Sequence, residues 1–169
     1  MQLRNGLFVA ALLLASCAAP PKPVALVDAP VLPLALDNDF EFRKVKRFLN
    51  QPELFQPTEN EMINFDRRRV NFGALSAEER RQRQGTYFDF FWRANRPADL
   101  KVRFEYRQAR LGNAVRAQEV AYEQAKGTVK TSFAVVGDSY HWDGPVNAWR
   151  CLLIENNRIV AFTQSYLWK

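Results

Sequence analysis

The stretch LKVRFEYRQ, Leu100 to Gln108, alternates without a break. Leu100, Val102, Phe104 and Tyr106 fall on one side; Lys101, Arg103, Glu105 and Arg107 fall on the other. A period of two is that of an extended strand with one buried face, whereas a helix would scatter these residues round its axis. The pattern continues on both sides. TYFDFFWRA puts Phe88, Phe90 and Trp92 on one face, with RANRPAD as the turn before Leu100. AVRAQEVAY and TVKTSFAVV follow, separated by loops at Leu111-Gly112-Asn113 and around Gly127. The last two strands, VNAWRCLLIE and RIVAFTQSYLW, meet at Asn156-Asn157. Asparagine tolerates positive φ, so a two-residue hairpin turn is expected there. The register this implies pairs Glu155 with Arg158, Leu153 with Val160, Cys151 with Phe162 and Trp149 with Gln164. Leu152, Ile154, Ile159 and Ala161 make the hairpin apolar on its other face too. It therefore needs a sheet on one side and a cover on the other: upstream residues, a second subunit or a partner.

Six strands, short connections and no long amphipathic helix predict a mainly β fold, a single antiparallel β-sandwich over residues 86–169. The final hairpin, with Trp149 in one strand and a closing strand after it, resembles the last hairpin of immunoglobulin-like and fibronectin type III-like domains. The resemblance implies an immunoglobulin-like sandwich. The cysteine pair and tyrosine corner of those domains are absent.

Residues 39–85 read as an irregular, partly helical connection. In DFEFRKVKRFLNQPE, Phe42, Val45 and Leu49 have helical spacing, with Asp39 as a cap and Pro52 beyond the end; Phe40 and Phe42 equally suit the start of a strand. SAEERRQRQG predicts a short polar helix, with Ser76 and Glu79 as a capping box, arginines after the acids, and Gly85 as its stop. Upstream, Phe65 and Phe72 bracket three consecutive arginines, Arg67, Arg68 and Arg69.

The chain opens with one positive charge, Arg4, an apolar run from Gly6 to Leu14, small residues and then Cys17. This is the layout of a secretory signal peptide, residues 1–16, whose apolar run is too short to span a bilayer as a stable helix. Leu14-Ala15-Ser16-Cys17 resembles the lipobox of bacterial lipoproteins. The resemblance implies cleavage before Cys17 and acylation of that cysteine. Several acyl chains anchor a protein stably where one does not. Ala18 and Ala19, with no Asp after the cysteine, imply the outer membrane, facing the periplasm. Residues 17–38 hold five prolines and read as an extended tether; their Val and Leu residues could instead lie on the domain or on a partner. With Cys17 acylated, Cys151 has no disulfide partner and is expected to be buried in a strand.

Charge is concentrated. Residues 67–116 hold thirteen Lys or Arg against five Asp or Glu. Secretion argues against nucleic acid, so an acidic envelope component or protein surface is the expected partner of Arg67, Arg68, Arg69, Arg80, Arg81, Arg83, Arg103 and Arg107. A homo-oligomer built on the doubly apolar hairpin is a further expectation.

Gly137-Asp138-Ser139 resembles the first block of the GDSL esterases, which implies a serine nucleophile. That family places the block early in an α/β domain and its histidine far downstream; here thirty residues follow Ser139, and His141 lies two residues beyond it. A base has to approach the serine from a separate element. Asp138, His141 and Asp143 as a metal set fall short of a closed site. GDSYHWDG is therefore read as a loop between strands, with Tyr140 and Trp142 packing on the rim or meeting a ligand. The expectation is a binding module without cofactor, metal or catalysis.

Overall fold

The computed structural model describes residues 20–54 and 57–169; the signal peptide and Cys17 lie outside the described residues. The elements are β1 (Val24–Leu26), β2 (Phe40–Asn50), a 3-10 turn (Pro52–Leu54), α1 (Glu61–Asn71), α2 (Ala77–Arg83), β3 (Gly85–Gln108), β4 (Arg116–Val136), α3 (Gly137–Asp143), β5 (Val146–Glu155) and β6 (Arg158–Gln164). The strands form one antiparallel six-stranded sheet in the order β1-β4-β3-β5-β6, with β2 also on β3.

The fold is mainly β and sandwich-like, as the alternation predicts, but its layers are halves of one sheet. Phe90 and Phe104 stand fourteen residues apart on β3, a separation of about 46 Å in a straight strand. Their rings are 5.5 Å apart, and those of Phe88 and Phe104 are 4.7 Å apart. β3 therefore doubles back on itself. β4 follows it along both halves, while the other edge of β3 is shared, β2 taking Gly85–Ala94 and β5 taking Lys101–Gln108. The bend falls at Ala94–Leu100, where the register with β4 shifts twice. RANRPAD is thus not a turn between two strands but a corner within one, and Gly127 (φ 81°) and Gln124 (φ 47°) make the matching corner in β4 rather than a loop. Arg96 holds the corner, with ion pairs to Glu155 at 2.7 Å, Asp37 at 3.1 Å and Asp39 at 3.3 Å.

Between the layers Phe88, Phe90, Trp92, Val102, Phe104 and Leu153 are wholly buried. Each large side chain removed from water contributes about 1.5–3 kcal/mol. The indole Nε1 of Trp92 donates to Thr131 Oγ1 at 2.9 Å, so the largest core residue leaves no donor unmet. Cys151 is free and buried, and burial pushes its thiol well above its ordinary value.

Several local expectations are corrected. Residues 40–50 are a strand, not a helix; Phe40 joins the core and β2 pairs with β3 along its length. GDSYHWD is helix α3, not a loop. The hairpin turn has Asn156 and Asn157 at φ 48° and 57°, and Glu155 does face Arg158. A bulge between Leu153 and Ile154 then shifts the register, so that Leu153 faces Ala161, Cys151 faces Thr163 and Arg150 faces Gln164. The helix stop ascribed to Gly85 falls to Gln84; Gly85 (φ 145°) opens β3, where a Cβ would stand 2.2 Å from the Val135 carbonyl oxygen.

The proline-rich segment lies on the domain. β1 pairs with β4, Val24 opposite Glu119. Leu32 covers Leu152, Ile154 and Ile159, the apolar outer face of the final hairpin. Ile159 donates to Pro33 O at 2.9 Å, and Ala35 donates to Ile159 O at 2.9 Å. The cover that the hairpin requires is therefore the upstream chain.

Candidate functional site

Helix α1 is held by polar contacts and turned apolar side out. Successive residues advance about 100° round a helix. Ile63, Asn64, Asp66, Arg67, Val70 and Asn71 fall on the side facing the domain, and all are buried or half-buried. Four of those six are polar, and each has a partner. Asp66 receives the Lys46 ammonium from β2. Asn71 and Asn50 exchange amide hydrogen bonds at 2.8 and 2.9 Å, and Asn50 is fully buried. Arg67 Nε donates to Leu49 O at 3.0 Å, and Asn64 Nδ2 donates to Thr58 O at 2.7 Å. Asn60 caps the helix, accepting from the Met62 and Ile63 backbone N–H groups.

The opposite arc carries Met62, Phe65, Arg68, Arg69 and, at the cap, Phe72. Phe65 is 59% exposed, Phe72 86%, and Leu75 in the following turn 87%. A surface helix ordinarily sends its apolar stripe to the core and its charges to water. Here the arrangement is inverted, and a patch of four large apolar side chains stands in solvent with two arginines among them.

The remaining arginines serve a different purpose. In α2, Glu79 accepts from the Ser76 and Leu75 backbone N–H groups at 2.8 and 2.9 Å and from the Ser76 hydroxyl. These donors, led by the Ser76 N–H, hold its carboxyl below the usual range. Arg80 bonds Glu53 at 3.0 Å and Leu75 O at 2.9 Å; Arg81 bonds Asp138 at 2.9 Å; Arg83 donates to Phe72 O at 2.6 Å. They tie the helices together. Arg103, expected to point outward, is 5% exposed: it pairs with Glu119 at 3.0 Å and donates to Pro30 O at 2.9 Å. Arg107 lies over the Trp168 ring at 4.8 Å, with Arg150 also over it at 5.0 Å. Of the eight arginines singled out in the sequence, Arg68 and Arg69 present the charge most freely. Arg68 has no hydrogen bond or ion pair among the described residues, and Arg69 reaches only Asp66, at 3.8 Å. A shallow cleft of about 180 Å³ beside Arg68 is lined by Pro52, Arg67, Asn71, Ala74 and Arg80.

Helix α3 brings its residues to other uses. Ser139 Oγ is 3.4 Å from Gln108 Oε1, and His141 Nε2 is 3.3 Å from Arg81 O; the two side chains share no hydrogen bond. Asp138 pairs with Arg81, and Asp143 pairs with Arg116 at 2.8 Å. Tyr140 is half-buried and edge-on to His141, while Trp142 is 72% exposed. Among the described residues no helix is long and apolar enough to cross a membrane.

The sequence reading missed Met62 and Leu75 and used Phe65 and Phe72 only as brackets. The signal was present as the three- and four-residue spacing of Met62, Phe65, Arg69 and Phe72. Fold and surface together define the class: a sandwich-like antiparallel β domain that presents an outward-facing amphipathic helix. No family model, curated protein or solved structure matches the chain.

Proposed function

We propose that the chain is a bacterial envelope lipoprotein, anchored through Cys17 at the outer membrane and facing the periplasm. It acts as a binding or assembly module, not a catalyst, through the basic helical end of its β domain. The observation that carries the binding reading is the inverted helix α1. Exposing Phe65, Phe72 and Leu75 to water beside Arg68 and Arg69 costs stability in the isolated chain and is offset where an acidic partner covers them. The anchor reading rests on Leu14-Ala15-Ser16-Cys17. The homo-oligomer reading loses its motivation, because Leu32 covers the hairpin face that suggested it.

Two measurements test the proposal. Cells fed an alkyne fatty acid should yield labelled wild-type protein and unlabelled Cys17→Ser; label on the variant would remove the anchor. Arg68→Glu with Arg69→Glu should strip envelope components from the crosslinked, purified protein at low salt. An unchanged crosslinking pattern would remove the basic surface.

A further inference from the structure

We infer that the outer face of α1 and the turn after it form a membrane-interface contact that seats on an anionic phospholipid surface. The inference deepens the proposed basic binding surface by naming its partner, and it rests on that reading.

Three observations select a lipid surface over a protein. The first is composition on one arc. Met62, Phe65, Phe72 and Leu75 alternate with Arg68 and Arg69, and all are exposed. Covering this arc with a protein's apolar surface would strip water from two guanidinium groups, which is expensive without buried acceptors. At a bilayer interface the same arrangement is satisfied. The rings enter the headgroup–acyl boundary, while the arginines bend back to the phosphates. The second is self-association. A second copy docked by the same face would place Arg68 and Arg69 close to their own equivalents about a two-fold axis, like charge against like. The third is mounting. The inner side of α1 is fixed by Asp66–Lys46, Asn71–Asn50 and Arg67–Leu49 contacts, so the helix does not need to roll its apolar side inward. The acids nearby do not oppose the contact. Asp66 is buried and paired, Glu53 is bound to Arg80, Glu78 faces Arg81, and Glu79 is engaged in its cap. Glu61 shares the arc but opens the helix, away from Arg69, Phe72 and Leu75. The seat is therefore the C-terminal half of α1 with the turn to α2.

The test uses the unacylated chain from Ala18, which retains every strand and helix of the fold, so that binding cannot come from the anchor. Cys151 is buried, so Leu75→Cys supplies the one accessible thiol for an environment-sensitive dye. Vesicles of phosphatidylcholine, alone or mixed with phosphatidylglycerol, are the probe, read by co-flotation and by quenching from brominated acyl chains. The expected result is binding about tenfold or more tighter to the anionic vesicles, with quenched, blue-shifted dye emission. Arg68→Glu with Arg69→Glu should weaken this about tenfold or more. Phe65→Ser with Phe72→Ser should abolish quenching. These side chains lie on the solvent face, so circular dichroism should stay unchanged. Equal binding to both vesicle types, or quenching indifferent to either pair of substitutions, overturns the inference. So does a dye that stays wet on vesicles but is buried by an acidic envelope protein. In that last case the proposed function stands and only its lipid partner falls.

Discussion

Replacing Arg103 by methionine keeps a long apolar stem on β3 but removes the guanidinium that holds Glu119, Glu105 and the Pro30 carbonyl. The side chains of Arg103, Glu105 and Glu119 are 6%, 4% and 14% exposed, so water screens the charges little. Opposite charges about 4 Å apart attract by about 4 kcal/mol at an effective dielectric near 20, and breaking a buried pair typically costs about 3–5 kcal/mol. Two features lower the figure here. Glu105 keeps Arg150 at 2.6 Å, and Glu119 keeps Lys101 at 3.5 Å. One feature raises it: the Pro30 carbonyl loses its donor, worth about 1 kcal/mol. A net loss of about 3 kcal/mol is expected, read as a lower urea midpoint with unchanged slope. Arg103→Met with Glu119→Gln should recover at least about 1 kcal/mol of this, because no carboxylate is then left short of a cation. Limited proteolysis between Val27 and Pro33 should also quicken, since the guanidinium pins that segment to the sheet. A loss below about 0.5 kcal/mol, the size of an ordinary surface change, with unaltered proteolysis would mean that Arg103 is hydrated and the segment unseated. The account of the covered hairpin face would then fail with it.

Gly85→Ala should destabilise by about 2–3 kcal/mol from the backbone alone, more with the Val135 contact, in the same urea assay; a neutral result would contradict the strand crossing at Gly85. Asn157→Val should cost about 1–2 kcal/mol because a β-branched residue resists the left-handed turn, whereas Asn157→Gly should leave the melting temperature level or raise it. Burial raises the phenols of Tyr87 and Tyr122 and the thiol of Cys151. Each is an acid whose folded pKa lies above its unfolded value, so its stabilisation is whole below the ordinary value and is lost as the pH climbs through the folded one. The urea midpoint should therefore hold up to about pH 8 and fall above about pH 9, with Cys151 unreactive to a thiol reagent until unfolding; a native protein that reacts at the rate of a free thiol would refute the burial.

The alternation from Thr86 onward made the strands and their inner face legible: Phe88, Phe90, Trp92, Leu100, Val102 and Phe104 are all buried as read. What alternation cannot report is how one strand ends and the next begins. Arg93 to Asp99 has the proline and asparagine of a hairpin turn, and the same residues serve a corner in a continuous strand. The choice depends on the partner opposite, where Gln124 and Gly127 bend β4 at the same level. Nor does it report whether the second face is covered. Arg103, Glu105 and Arg107 read as solvent-facing because their cover comes from Val27 to Leu32, far off in sequence and without periodicity of its own. A bulge at Leu153 likewise moved the final register by one residue after a correctly placed turn, because one extra residue in a ladder leaves no mark in composition.

Helix α1 was harder to read for a sharper reason. An apolar stripe at helical spacing is ordinarily a core face, and Met62, Phe65 and Phe72 would pass for one. The stripe faces outward because the domain side offers Lys46, the Asn50 amide and the Leu49 carbonyl, groups that an apolar face could not satisfy and that Asp66, Asn71 and Arg67 can. Burying Phe65 there instead would leave those groups without partners, at a cost of about 1–3 kcal/mol each. That exceeds what one partly exposed ring gains by turning in. The orientation of α1 is thus set by the polar end of β2, and the exposure of its apolar face follows from it. A surface that the fold itself cannot cover is left for whatever lies outside the fold.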